Sequence, residues 1–394
     1  MSDDHVVERQ PLGGTLRIAL IGTRGVPARY GGFETCVEEV GRRLVERGHD
    51  VGVYCRAVDG ADRPSTYLGM RLVHLPALKK RALETLSHTG LSVAHMMAHR
   101  PDAAVVFNCA NAPWLPFLRA RRIPFATHVD GLEWRRAKWG PAGQRYYRNA
   151  ERMAVKWSNA LIADAQGIAD YYCETYHATT DLIAYGAPVI TPGVNRLSEL
   201  ELNPDGYHLV VSRFEPENHV EEIVRGYVDS SARLPLVVVG SAPYSHEYTQ
   251  RVHDAADGRV RFLGGIWDQE LLDQLYAGSR TYLHGHSVGG TNPSLLRAIG
   301  AGAATDAFDV AFNREVLGES GRFFTTPAQL AHLVNSAEDD VDSVRRRARA
   351  ARIEATRYDW DDVTGKYEAL CRRLAAGCRS AAHQVPRAAR IANR

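Results

Sequence analysis

The sequence predicts an α/β protein built from two Rossmann-like domains whose parallel sheets face each other across a cleft. Three observations carry this. Apolar strand segments alternate with amphipathic helical ones along most of the chain, the pattern of a parallel sheet covered on both faces. The alternation loosens once, at 188–204, into Pro, Gly, Asn and Ser, and then resumes. A length of 394 residues is long for one core and comfortable for two.

The first strand is Leu16-Arg-Ile-Ala-Leu-Ile-Gly22, near-continuously apolar as a buried parallel strand should be. A glycine-rich loop, Thr23-Arg-Gly-Val-Pro-Ala-Arg-Tyr-Gly-Gly32, leads into a helix from Phe33 to about Arg47. Phe33, Cys36, Val37, Val40 and Leu44 share one face, Glu34, Glu38 and Glu39 lie early, and Arg42, Arg43 and Arg47 lie late, complementing the dipole. Gly48 suits the C-terminal cap, and Asp50–Cys55 completes a β-loop-α-β unit. Gly22, Gly25, Gly31 and Gly32 do not follow G-x-G-x-x-G, which argues against a dinucleotide enzyme. With Arg24 and Arg29 beside it, the loop still suits an anionic group.

Strands follow at Met70–Leu75, Ala103–Asn108, Pro124–His128, Ala160–Ala163 and Asp181–Tyr185, with helices near Lys80–His99, Pro113–Arg121, Gly143–Trp157 and Gln166–Tyr176. The second series has strands at Tyr207–Arg213, Leu236–Gly240, Val260–Leu263, Thr281–His284 and Ala303–Asp306. Helices lie at Val220–Ser230, Tyr244–Ala256, Asp268–Gly278 and Asn292–Ala301. Within it, His284-Gly-His-Ser-Val-Gly-Gly-Thr-Asn-Pro293 runs from a strand end through a glycine loop into an apolar helix. Pro293 fits the first helical turn and Asn292 or Thr291 can cap it. Bare backbone amides at the positive end of a helix dipole form an anion site.

The expected organisation is a flexible N-terminus (1–15), an N-terminal domain (16–190), a linker (191–206), a C-terminal domain (207–357), a helix crossing back (358–378) and a disordered basic tail (379–394). A net charge of +2 argues against nucleic-acid binding by bulk charge. The six cysteines (Cys36, Cys55, Cys109, Cys173, Cys371, Cys378) form no C-x-x-C pair, so neither a zinc site nor a disulfide framework is indicated. No signal peptide or membrane span is evident, and a cytoplasmic protein is expected.

Four stretches carry a family resemblance: Ile21–Glu34, His128-Val-Asp-Gly-Leu-Glu-Trp-Arg-Arg-Ala-Lys-Trp-Gly140, Ser212-Arg-Phe-Glu-Pro-Glu-Asn218, and the loop at 284–302. Through them, and through Tyr358–Glu368, the chain resembles the family-4 glycosyltransferases of GT-B fold, within them a bacterial rhamnosyltransferase-like subgroup. The resemblance implies a retaining, metal-independent transferase. It would move a hexose or deoxyhexose, rhamnose among them, from a nucleotide-sugar donor to a glycan, lipid-linked or small-molecule hydroxyl. No cofactor is implied beyond that co-substrate, and polysaccharide biosynthesis is the expected setting.

By the same resemblance His128, Asp130 and Arg213 are the candidate catalytic residues. Gly31, Gly32, Glu34, Arg213, Asn218, Gly289, Gly290, Thr291, Asn292 and Arg297 are the donor-binding candidates, and Glu133, Trp134 and Arg135 lie on the acceptor side. No metal ligand is expected. Two positions depart from the pattern. Asn218 stands where many of these enzymes carry a lysine, and Arg297 where a glutamate accepts from the nucleotide ribose, which a guanidinium cannot do. Three readings of Arg297 stay open: the ribose is held otherwise, Arg297 meets an extra phosphate or an acid elsewhere, or activity is impaired. A nucleotide-sugar 2-epimerase of the same fold and a non-catalytic partner are the alternatives. Basic runs at Lys79–Arg81, Arg119, Arg121–Arg122 and Arg135–Lys138, interleaved with Trp114, Trp134 and Trp139, suit peripheral contact with an anionic inner-membrane face or solvated helix faces.

Overall fold

The structure is a computed structural model that describes residues 14–28, 31–57, 62–78, 83–129, 131–191, 193–240 and 246–377. The candidates Arg29 and Asp130, the run Lys79–Arg81, the basic tail and most of the N-terminal lead-in lie outside the described residues.

The first sheet contains β1 (Arg17–Ile21), β2 (Asp50–Arg56), β3 (Thr66–Tyr67), β4 (Met70–Leu75), β5 (Ala103–Phe107), β6 (Phe125–Val129), β7 (Ala160–Ala163) and β8 (Asp181–Leu182), in the order β3-β4-β2-β1-β5-β6-β7-β8. All pairings are parallel except β3 with β4, a hairpin edge that the alternation pattern did not announce. Helices α1 (Gly32–Glu46), α2 (Glu84–Ala98), α3 (Leu115–Ala120), α4 (Pro141–Trp157) and α5 (Gln166–Tyr176) cover it. Central β5, Ala-Ala-Val-Val-Phe, is buried at every position, as its unbroken apolar run requires.

The second sheet contains β9 (His208–Val211), β10 (Leu236–Val239), β11 (Val260–Gly264), β12 (Thr281–His284), β13 (Thr305–Phe308) and β14 (Arg322–Phe324), all parallel, in the order β11-β10-β9-β12-β13-β14. It is covered by α6 (Val220–Val228), α7 (His246–Asp254), α8 (Gln269–Gly278), α9 (Pro293–Ala301), α10 (Ala311–Leu317), α11 (Pro327–Asp339) and α12 (Val341–Ala355). Strand order reverses between β1 and β5 in one sheet and between β9 and β12 in the other. Ligands bind open α/β sheets at such reversals, beyond the carboxyl ends of the strands.

The last helix, α13 (Trp360–Ala375), packs back onto α1. Trp360, Val363, Tyr367, Leu370 and Leu374 enter a single apolar cluster that runs from Ile18 and Val105 through Tyr185 and Ile190 to Leu209 and Leu295. Around it, Arg43 meets Asp361 at 3.2 Å, Arg47 meets Glu368 at 3.1 Å, and Arg373 meets Asp181 at 2.6 Å. Among the described residues no helix is long and apolar enough to cross a membrane.

Beneath β13 lies a buried charge. Asp306 is fully buried and accepts two bonds from Arg322, at 2.8 and 2.9 Å, and one from Arg347 at 2.9 Å. An unpaired charge left behind in such a setting costs about 3–5 kcal/mol. Asp306→Ala is therefore expected to lower the unfolding free energy of the second domain by roughly that amount, read by urea denaturation; a change within error would show the pair contributes nothing.

Candidate functional site

At the β9/β12 reversal, two loops are joined. The β9 loop holds Arg213 and Asn218; the β12 loop runs from Gly285 to Asn292, where α9 begins. Ser287 donates to the Glu217 carbonyl at 2.9 Å, and a Cβ on Gly285 would lie 2.1 Å from the Asn218 carbonyl oxygen. Asn292 caps α9 by accepting from the Ser294 amide at 2.9 Å, as its place before Pro293 predicts. Ser294 in turn bonds Tyr282 at 2.9 Å and the Val211 carbonyl at 3.2 Å, fixing the first turn of α9 against the sheet.

Arg213 and Asn218 differ in what they offer a ligand. The Arg213 side chain is half-exposed at 51 %, with one Glu215 oxygen 3.5 Å away. Asn218 is buried and donates to the Arg213 carbonyl at 2.8 Å, so its amide braces its own loop. Arg297, one turn into α9, pairs with Asp273 of α8. Of the readings its sequence position allowed, an acid elsewhere is the one observed.

The opposing side comes from the N-terminal domain. Gly31 has φ 115°, and the loop before it is pinned by two acids of α1. Glu34 accepts from the Arg24 amide at 3.1 Å, and Glu38 from the Ala28 amide at 2.6 Å. A Cβ on Gly32 would sit 3.1 Å from the Pro293 ring, so the N-termini of α1 and α9 meet across the cleft. Beside them a Cβ on Gly131 would fall 2.3 Å from the Gly289 Cα, and one on Gly290 would fall 1.9 Å from Asp164 Oδ1. Thr291 donates to the Asp164 carbonyl. Where Gly131 meets Gly289 the approach is backbone to backbone, and only glycine permits it.

His128, next to the last residue of β6, is fully buried, stacked between Phe107 (5.5 Å) and Tyr185 (5.8 Å), with Phe33 edge-on at 5.1 Å. Neither ring nitrogen has a hydrogen-bond partner, and burial pushes its pKa down to about 3. It is a neutral imidazole at physiological pH, able to donate or accept a hydrogen bond but not to supply a proton as an acid.

The acceptor-side candidates separate. Glu133 is buried and accepts from Trp139 Nε1 at 3.1 Å while pairing with Lys138 at 2.8 Å and Arg136 at 2.5 Å. Burial would raise its pKa, but the Arg136 and Lys138 charges outweigh this and hold it below the usual carboxylate range. The carboxylate is thus committed to its neighbours. Trp134 carries the Arg148 guanidinium 4.3 Å above its ring and the Arg135 guanidinium at 5.2 Å. The sequence reading missed Arg136 and Asp164 as cleft residues. Arg136 was hidden in a basic run, and Asp164 follows an apolar strand with no motif of its own.

Comparison with known proteins follows this geometry. Residues 30–195 match the family profile described as Glycosyltransferase Family 4. A stretch of 117 residues is 27% identical to the GtfA subunit of the UDP-N-acetylglucosamine–peptide N-acetylglucosaminyltransferase of Streptococcus gordonii, covering 29% of this chain and 22% of that relative. The fold is similar to sucrose-phosphate synthase of Thermosynechococcus elongatus (TM-score 0.79, 19% identity, 92% of this chain and 100% of that one). It is also similar to Anabaena HepE in complex with UDP (TM-score 0.71, 17% identity, 90% and 99%). WaaG, a glycosyltransferase involved in lipopolysaccharide biosynthesis, gives 0.69 at 16% identity over 90% and 99%. At these identities the likeness shows the fold, which is GT-B.

The buried histidines generate a pH test. Burial holds His128 and His284 at about 3 and His88 at about 4, while an unfolded histidine titrates near 6.5. Their contribution is therefore fully present above about pH 6.5 and is lost as pH falls toward 4, at about 1.4 kcal/mol per pH unit for each histidine. Denaturation at pH 7, 6 and 5 should show this fall, and His128→Phe should flatten the slope by one proton. An unchanged slope in the variant would show that His128 is not held neutral.

Proposed function

We propose that this chain is a retaining glycosyltransferase that binds a nucleotide-sugar donor between its two domains and passes the sugar to an acceptor hydroxyl. The family-4 profile match and the GT-B fold indicate a transferase. The observation that carries the reading is the meeting of two glycine loops and two helix N-termini at the strand-order reversals. In this reading residues 16–190 take the acceptor, 191–206 link, 207–357 take the donor, and 358–378 tie the donor domain back to the acceptor domain.

The donor diphosphate lies at the amides of Gly289, Gly290, Thr291 and Asn292, with Arg213 beside it. The helix end and the guanidinium stabilise charge developing on the leaving group, a term commonly worth 10²–10³ in rate per donor removed. Gly31 and Gly32 admit the sugar, Glu34 holds their loop, and neutral His128 offers its unpartnered nitrogens to sugar hydroxyls. Asp130, Trp134 and Arg135 are assigned to the acceptor hydroxyl on the family resemblance, Asp130 lying outside the described residues. Glu133 acts by positioning Arg136 and Lys138, and Arg297 with Asp273 supports α8 against α9. Arg213 and the helix end are proposed in place of a metal ion, so turnover should persist in chelator.

The donor sugar is a hexose or deoxyhexose, rhamnose included, and the acceptor a glycan, a lipid-linked saccharide or a small molecule. HepE, solved with UDP, UDP and glucose, and UDP-glucose, supports a donor of this chemical class. Peripheral contact with an anionic membrane is supported by Arg145, Arg148, Arg152 and Lys156, which are all exposed and recur at helical spacing along α4. Sedimentation with vesicles that is indifferent to anionic lipid would remove that part of the proposal.

Release of nucleoside diphosphate from a donor panel, with and without saccharide acceptors, tests the reaction. Acceptor-dependent release is expected; isomerised donor without acceptor would identify an epimerase, and no turnover with any donor a non-catalytic partner. Arg213→Ala should lower turnover about 10²–10³-fold. Gly290→Ala, whose new Cβ meets Asp164, should hold the domains apart and cut turnover with little change in melting temperature. Full activity in either variant would contradict the assigned site.

A further inference from the structure

We infer that Arg136, a residue of the N-terminal domain, is the second cation of the donor site, and that Glu215 and Glu217 hold its place until a diphosphate arrives. This rests on the donor reading given above.

A diphosphate brings more charge than one guanidinium can match, and the C-terminal domain is short of cations at this point. Residues 207–357 contain no lysine, and Asn218 is neutral. Other arginines of that domain are committed: Arg225 and Arg251 to Glu221, Arg259 to Asp257, Arg297 to Asp273, Arg314 to Asp309, and Arg322 and Arg347 to Asp306. The next cation comes from across the cleft. Arg136 NH1 lies 3.4 Å from Glu217 Oε1 and 3.8 Å from Glu215 Oε2, while Nε stays on Glu133 of its own domain. The other oxygen of Glu215 is 3.5 Å from Arg213. One carboxylate thus sits between two guanidiniums, one from each domain. That is the place an incoming anion would occupy.

Unmet hydrogen-bonding capacity gathers at the same point. Glu215 Oε2, Glu217 Oε2, Asn218 Oδ1 and His286 Nδ1 are buried without a hydrogen-bond partner; the three oxygens only accept, so the donors a phosphate would meet here are those of Arg136 and Arg213. Burial first, and then neighbours that include the Arg213 and Arg136 guanidiniums, push the His286 pKa well down, so both guanidiniums lie near this one ring. Without ligand the cluster is balanced, with Glu133, Glu215 and Glu217 against Lys138, Arg136 and Arg213. An arriving diphosphate takes over NH1 of Arg136 from Glu217, while Glu133 keeps Nε. The guanidinium is then shared between phosphate and its own domain, which couples phosphate binding to closure.

The test is calorimetric titration of the full chain with UDP, GDP, TDP and ADP and with the matching monophosphates. Arg136→Gln should weaken whichever diphosphate binds by about tenfold, the scale of a lost charge-assisted bond, and leave the monophosphate unchanged. Glu217→Gln should tighten the diphosphate, because the internal competitor loses its charge. Arg345→Gln, on an exposed face of α12, is the control and should match wild type. Diphosphate binding unaltered in Arg136→Gln, or equal losses for mono- and diphosphate, would overturn the inference. If Arg136→Gln does not fold, Glu217→Gln decides: tighter binding supports it and unchanged or weaker binding overturns it. Failure of the wild type to bind any nucleoside diphosphate overturns the donor reading and this inference together.

Discussion

The structure depends on a close approach of the two domains at glycines, backbone to backbone where Gly131 meets Gly289. Gly131 lies against Gly289, Gly290 against Asp164, and Gly32 against Pro293. Because the glycines themselves carry no side chain, the helix ends of α1 and α9 and the loop amides beside them come close together there. A cleft built from amides and helix termini selects anions through fixed dipoles, which cost no reorganisation when charge develops.

The far side of the molecule keeps the domains in register. The apolar cluster is continuous through residues 183–202 and α13, so the two sheets share one core. Ion pairs from Arg43, Arg47 and Arg373 to Asp361, Glu368 and Asp181 ring that core; most are partly exposed, so they set geometry more than they add stability. Tyr367 contributes its ring to the cluster, and its hydroxyl oxygen accepts from the Cys36 thiol at 3.5 Å. Removing that helix would take Trp360, Val363, Tyr367, Leu370 and Leu374 out of the shared cluster and leave the domains joined mainly by residues 183–202 and by polar contacts such as Arg136 with Glu217 and Glu315 with Gln166.

How much of this could be read from the sequence follows from which interactions are local. The strand–loop–helix of β1 and α1 and that of β12 and α9 were legible, because near-continuous apolar runs, Pro293 and Asn292 are signals within a few residues. The short β3 and its antiparallel pairing with β4, the shortness of β8, and α10 to α12 were not. Helix α12 in particular is rich in arginine and buries only Val344, Ala351 and Ala355. The site divides in the same way. Loop glycines stand out in local pattern and Arg213 in the family resemblance, whereas Arg297 meets Asp273 at a distance of 24 residues and Arg136 meets Glu217 at 81. Charge partners chosen by tertiary packing leave no periodicity in the chain. Glu133 looked like an acceptor-facing acid and is instead enclosed by the cations and indole that follow it in sequence.

The central claim is that a nucleotide diphosphate sits in the glycine seam at the start of α9. A crystal structure of the chain grown with the tightest-binding nucleoside diphosphate tests it most directly. The account predicts phosphate density within hydrogen-bond reach of the Gly289–Asn292 amides, with Arg213 on one side and the Gly31–Gly32 turn opposite. Nucleotide density elsewhere, with that seam filled only by water, would contradict it.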